Sequence, residues 1–221
     1  MQRHIDHEID ILRQTILRMG QAVEKAIEEA TLGLHERNQE RLDKVRGLED
    51  SINDYNKQVD ELSLKLIASQ SPLATDLRVI LAIIKINSDL ERMGDQAMNI
   101  SYTVRDYLKK KALPQEARII EMATSVRKMV CDSLEAFLNN DVELSEKVLL
   151  QDDEVDDGKN ETFKSAVVLM KQDPSTVEAA LDLILISRNL ERLGDHATNI
   201  AEDVIFASTG KDIRHGGMSG R

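Results

Sequence analysis

Two stretches of the chain repeat an acidic pattern whose spacing could hold a cation. Glu91-Arg-Met-Gly-Asp95 and Glu191-Arg-Leu-Gly-Asp195 each place two carboxylates four residues apart, with Asn99 or Asn199 four residues further on. Steps of four stack side chains in one row along one face of a helix. Gly94 and Gly194 lie inside these rows, where glycine costs about 1 kcal/mol relative to alanine. Both copies keep it, which points to something coming close to the backbone there. A second pair of rows has the same helical phase. Glu49 and Asn53 follow Leu48 and Ile52 as Glu91 follows Leu90, and Asp152 and Asp156 hold the matching places in the second half, with Val155 aligned to Ile52.

If neighbouring helices turn these rows toward one another, each half gathers three or four oxygen-bearing side chains. Two carboxylates about 6 Å apart repel by roughly 3 kcal/mol at an effective dielectric of 20, and by well under 1 kcal/mol in water. A sheltered cluster therefore needs raised pKa values, arginines or a cation. No His or Cys accompanies both rows, so the candidate ligands are hard oxygens, suited to Mg²⁺, Mn²⁺, Ca²⁺ or iron rather than to zinc or copper. The ordinary alternative is a solvated acidic face with Arg92 and Arg192 in nearby ion pairs. Within the acidic run 152–157, Asp153, Glu154 and Asp157 read as a solvated turn. His196 replaces Gln96 of the first copy, which argues against a ligand role. His4, His7 and His35 read as surface residues, Cys131 as a small core hydrophobe and the methionines as core filling. There is no glycine-rich phosphate loop, no GxSxG, no HExxH and no Glu-x-x-His pair of the ferritin-like kind, so nothing argues for an enzyme.

The elements that carry these rows are helices. Ile5, Ile9, Leu12, Ile16, Met19, Val23, Ile27, Ala30 and Leu34 recur at steps of three and four, an apolar stripe that predicts one long helix ending within 33–38. A second stripe, from Val45 through Ile52 and Val59 to Leu66, stops at Ser71-Pro72, because the residue before proline is pushed out of the α region. A third begins after Pro72 and runs through Ile83, Ile86, Leu90, Met93, Ala97, Ile100 and Val104 toward the lysines at 109–111. On this third helix a second face is apolar at Leu77, Ile80 and Ile84 and then turns acidic, which a simple solvated face would not do. After Leu113-Pro114 a fourth helix is expected from about Ile119 to a pause at 139–141, a fifth through Val148 and Val155 to Asp173-Pro174, and a sixth from about Ser175 to Phe206.

Segments 89–104 and 189–204 are identical at 9 of 16 positions, and landmarks such as Pro72 and Pro174 fall into register at offsets of 100 to 103. One ancestral three-helix unit has been copied once. The expected fold is all-α: two tandem three-helix bundles, six long antiparallel helices in all, related by a pseudo-twofold. The expected boundaries are 1–112 for the first bundle, 113–208 for the second and 209–221 for a loosely ordered tail.

Composition removes several classes of function. The formal net charge is −11 over 221 residues and aromatics are 3% with no Trp, which argues against nucleic acid and against anionic membrane surfaces. No apolar run approaches the roughly 20 residues of a membrane span, no signal-peptide pattern opens the chain, and one cysteine makes no internal disulfide. Cytoplasm is the default compartment.

The duplicated NSDLERMGDQAMNI and SRNLERLGDHATNI segments, with SPLATDLR at 71–78 and GKDIRH at 210–215, resemble the PhoU family of phosphate-transport accessory proteins. The resemblance spans essentially the whole chain. It implies a cytoplasmic, homodimeric, non-enzymatic negative regulator of phosphate uptake. Such a protein would be a scaffold between the ATPase subunit of a phosphate ABC transporter and the sensor histidine kinase of the phosphate regulon, with no direct membrane insertion. The family's E(D)xxxD motif, which in some members binds metal such as Fe, Mn or Mg, lands on Glu91 and Asp95, Glu191 and Asp195, Glu49 and Asn53, and Asp152 and Asp156. Asn99, Asn199, Gly94 and Gly194 would support these sites. Asn53 departs from the acidic pattern, so on charge alone the second half should hold metal better. A metal-dependent phosphoester hydrolase and a metal-free helical adaptor remain the rival readings.

Overall fold

The computed structural model describes residues 4–213. The helices are α1 (His4–His35), α2 (Gln39–Gln70), α3 (Ala74–Tyr107), α4 (Glu116–Asn139), α5 (Val142–Gln172) and α6 (Val177–Thr209), with a 3₁₀ turn at Pro174–Thr176 leading into α6. Among the described residues there is no strand. The ends follow from local chemistry. Asn38 caps α2 by accepting from the Glu40 N–H at 2.9 Å, and Asp141 caps α5 by accepting from the Leu144 N–H at 3.0 Å. Ser71, Asn140 and Gly210 end α2, α4 and α6 in the left-handed region, at φ 45°, 51° and 74°. Gly210 also lies beside Arg78 of α3: a Cβ there would come 3.7 Å from Arg78 Nη1, so the two outlying segments of the family resemblance meet in space. Of the expected tail, residues 214–221 lie outside the described residues.

Both halves build the same three-helix unit, α1–α2–α3 and α4–α5–α6, and the stripes read from the sequence are its core. The units meet through α3 on α6 and α1 on α4, so those four helices form the middle of the molecule with α2 and α5 on its flanks. One continuous cluster of buried apolar side chains runs from Ile5 to Val204 through both units. Ion pairs fix the register of α3 and α6 as antiparallel: Lys85 to Asp203 at 3.0 Å near one end and Lys110 to Asp182 at 2.6 Å near the other. The joint between halves is pinned by the buried Tyr107, whose hydroxyl donates to Glu116 at 2.6 Å and accepts from the Leu113 N–H at 2.8 Å. Arg37 straps the same joint by donating to the carbonyls of Leu108 and Lys110. His7 and His35 are exposed as expected, while the side chain of His4 lies outside the described residues. Cys131 is only partly buried, beside Glu24, and burial first and then Glu24 push its thiol up to about 11.

The seam between halves depends on Gly20 of α1, where a Cβ would stand 2.3 Å from Leu134 Cδ1 of α4. Gly47 of α2, by contrast, has nothing within 4 Å. Gly20→Val is therefore expected to destabilise the fold by about 1–3 kcal/mol through overpacking, and Gly47→Ala to stabilise it by about 0.5–1 kcal/mol through helix propensity. Urea unfolding of the two variants checks both signs.

Candidate functional site

The rows do face one another across the α2–α3 and α5–α6 seams, and packing explains why. Ile52 of α2 is fully buried and stands against Gly94 of α3, where a Cβ would lie 3.2 Å from two of its carbons. In the second half a Cβ on Gly194 would lie 3.4 Å from Asp152 Oδ1 and 3.6 Å from Val155 Cγ1. What approaches these glycines is the neighbouring helix. Close approach of the rods then brings the acidic residues one turn away into the same seam.

In the first half Glu49, Asp95 and Asn99 line an open groove of about 520 Å³ together with Arg46, Asp50, Gln96, Met98 and Tyr102. Asn53 stays on its own helix, its amide donating to Glu49 Oε1 at 2.6 Å. Glu91, 31% exposed, lies along the same seam: burial first, then Asp95 and then Glu49, hold its carboxyl above the usual range, and Arg92, 3.6 Å away but largely exposed, only partly offsets this.

In the second half Asp152 faces α6. Burial, then Asp195, Asp156, Asp153 and Glu191 push its carboxyl up to about 6. Asp195 is raised as well, by burial, then Glu191 and Asp156. Lys159 joins this row: its ammonium donates to Asp156 Oδ1 at 2.6 Å and Glu191 Oε1 at 2.7 Å, tying α5 to α6. The sequence reading missed it, although the Asp156-x-x-Lys159 spacing puts the two on one face of α5. Raised carboxyl pKa values thus relieve the repulsion in both rows, and a lysine helps in the second. Asp153, Glu154 and Asp157, expected on a solvated turn, are exposed but lie within helix α5, and Glu154 accepts from Ser125 at 3.3 Å.

Asp89 was missed too. It reaches from α3 to α6, 2.8 Å from His196 Nδ1 and 3.2 Å from Asn199 Nδ2, so Asn199 serves the contact between halves. These contacts mark the place where α3 crosses α6 between the two acidic rows. The related positions do not repeat the bond: Asn189 donates to the Leu185 carbonyl and the Gln96 side-chain oxygen is buried without a partner. The signal was in the sequence, because positions 89/189 and 96/196 both break the duplication.

Among the described residues no three Asp, Glu, His or Cys side chains are gathered closely enough to hold one metal ion. The carboxylates run along the seams instead of converging on a point, so the residues as placed do not form a ready-made metal site. What the arrangement offers is sheltered negative charge that binds protons more readily than free carboxylates do.

This gives a pH dependence with a definite sign. Asp152 is raised from 3.8 to about 6. The folded protein thus binds that proton more tightly than the unfolded chain, and stability is lost as pH rises from about 4 through 6. Asp152→Asn removes the penalty. It is expected to stabilise the protein by about 1–2 kcal/mol at pH 7.5, after discounting for partial exposure, and to change little at pH 4. Urea midpoints at the two pH values provide the check.

Comparison with known proteins agrees with this architecture. The family model described as "PhoU domain" matches residues 16–104 and 119–204, one copy per three-helix unit. The chain is 34% identical over 213 residues to the phosphate-specific transport system accessory protein PhoU homolog of Pseudomonas aeruginosa, covering 96% of this chain and 88% of that one. It is 31% identical to PhoU homolog 1 of Thermotoga maritima over 215 residues, covering 96% and 91%. The crystal structure of PhoU from Pseudomonas aeruginosa superposes with a TM-score of 0.91 at 32% identity, covering 94% of this chain and all of that one. The phosphate transport system regulatory protein PhoU from Streptococcus pneumoniae gives 0.88 at 27% identity, covering 95% and 99%. The duplicated rows, the six-helix architecture and these matches over nearly the full length agree: the chain belongs to the PhoU family.

Proposed function

We propose that this chain is a negative regulator of phosphate uptake and of the phosphate-starvation response. It acts as a cytoplasmic, homodimeric scaffold that contacts the ATPase subunit of a phosphate ABC transporter and a sensor histidine kinase. The observation that carries this reading is the match of both three-helix units to a family whose members are named as accessory or regulatory proteins of phosphate transport. Among the described residues no helix is long and apolar enough to cross a membrane, which fits a protein that reaches a membrane system by docking.

The physical basis of docking is charge. A chain of net charge −11 presents two sheltered acidic seams, one of them opening into the groove beside Arg46 and Tyr102. Basic surfaces on a partner would be steered toward them, and such steering raises association rates more than it deepens affinity. Of the ways the rows could work, the metal-free adaptor is favoured by their present charge balance: carboxyls of raised pKa, with Lys159 between Asp156 and Glu191. Glu91, Asp95, Glu191 and Asp195 are the residues on which partner binding should depend.

Pull-down of the transporter ATPase and of the kinase tests the assignment. Capture of either is expected, and capture of neither would overturn it. Neutralising the rows (Glu91→Gln, Asp95→Asn, Glu191→Gln and Asp195→Asn together) should slow association about tenfold at low salt. The difference should shrink at high salt, as surface plasmon resonance can measure. Phosphoester turnover with Mn²⁺ that disappears in Glu91→Gln would replace the scaffold by a hydrolase.

A further inference from the structure

Lys159 donates to candidate-site carboxylates on both helices of the second acidic seam, and the duplication supplies its control. Position 159 corresponds to position 56 at the offset that aligns Val155 with Ile52, and residue 56 is Asn. The first seam therefore has no ammonium at this level, while the second has one that is 27% exposed and grips carboxylates from both helices, Glu191 among them at 21% exposure. Its ammonium donates to Asp156 Oδ1 of α5 at 2.6 Å and to Glu191 Oε1 of α6 at 2.7 Å, so one cation is held from both sides of the seam.

We infer that Lys159 is the resident counter-cation of the second acidic row and keeps divalent metal ions out of it. Mg²⁺ and Mn²⁺ commonly bind through one or two carboxylates and complete their shell with water. Asp156 and Glu191 are two carboxylates that could supply that grip, since an oxygen of each lies within 2.7 Å of the same ammonium. The ammonium uses the same oxygen lone pairs, so a metal ion must first expel a charge held by two helices. Counting carboxylates ranks the second half as the better metal site. Lys159 reverses the order, and any demand for an external cation falls on the first half, where Glu49, Glu91 and Asp95 have no lysine between them. With Lys159 neutralised, Asp152, Asp156, Glu191 and Asp195 would be left in mutual repulsion, and a divalent ion becomes the direct relief. This inference concerns cation occupancy alone and does not depend on which partners the protein binds.

The test is Mn²⁺ titration of the metal-stripped full chain by isothermal calorimetry, with circular dichroism confirming the fold. Lys159→Met and Lys159→Gln are expected to bind Mn²⁺ at least tenfold more tightly than wild type. Lys159→Arg should show no gain, and adding Glu191→Gln to Lys159→Met should abolish it. In the wild-type background Glu191→Gln should leave Mn²⁺ binding unchanged. Folded Lys159→Met and Lys159→Gln proteins with no gain would overturn the inference. So would wild-type Mn²⁺ binding that is lost in Glu191→Gln, a measurement that stands even where the lysine variants fail to fold.

Discussion

Like charges held in a seam between packed helices are the constraint on which the rest of this molecule turns. Carboxylates on adjacent rods can stay ionised cheaply only in open water, and here the rods are too close for that. The two halves meet the same difficulty with different means. The first leaves its row beside a groove and keeps Glu91 with a raised pKa. The second draws Lys159 across from α5 and still leaves Asp152 and Asp195 binding protons more readily than usual. Structure, pH response and the capacity to attract a cation or a basic surface all follow from how that charge is balanced.

The constraint exists because of apolar packing. Ile52 against Gly94, and Val155 with Asp152 against Gly194, set the separation of the helices. The buried stripes of α1, α3, α4 and α6 then lock both units into one core. The acidic seams lie where the flanking helices α2 and α5 pack on the middle of the molecule. Lys85 with Asp203, Lys110 with Asp182 and Asp89 with His196 add polar ties to the same antiparallel crossing. A protein built this way presents its acidic edges on one continuous packed core.

Much of this was legible in the sequence because helical periodicity and capping are local. The stripes named the core, and the proline and asparagine joints placed the helix ends within a few residues. The duplication pointed to two repeated units, and the facing of their rows entered only as a condition on how neighbouring helices turn. Contacts that join distant residues were not legible. The neighbours of Gly94 and Gly194 proved to be the adjacent helices, which no spacing rule specifies. Asp89 and His196 look like small breaks in a repeat until α3 crosses α6. Lys159 was passed over because an Asp and a Lys three apart are ordinary on any solvated helix. Its significance comes only from Glu191 arriving on the other side. Charge count alone likewise ranked the second seam as the stronger cation site, since it could not show that a cation was already there.

The facing of the rows is measured most directly by titrating side-chain carboxyls with carbon-detected NMR in wild type and in Asp195→Asn. The expected result is an Asp152 midpoint near 6 that moves down toward the ordinary aspartate range once the charge across the seam is removed. An Asp152 midpoint near 4 in the wild type, unmoved by that substitution, would mean that the two helices carry independent solvated faces, contradicting the shared seam.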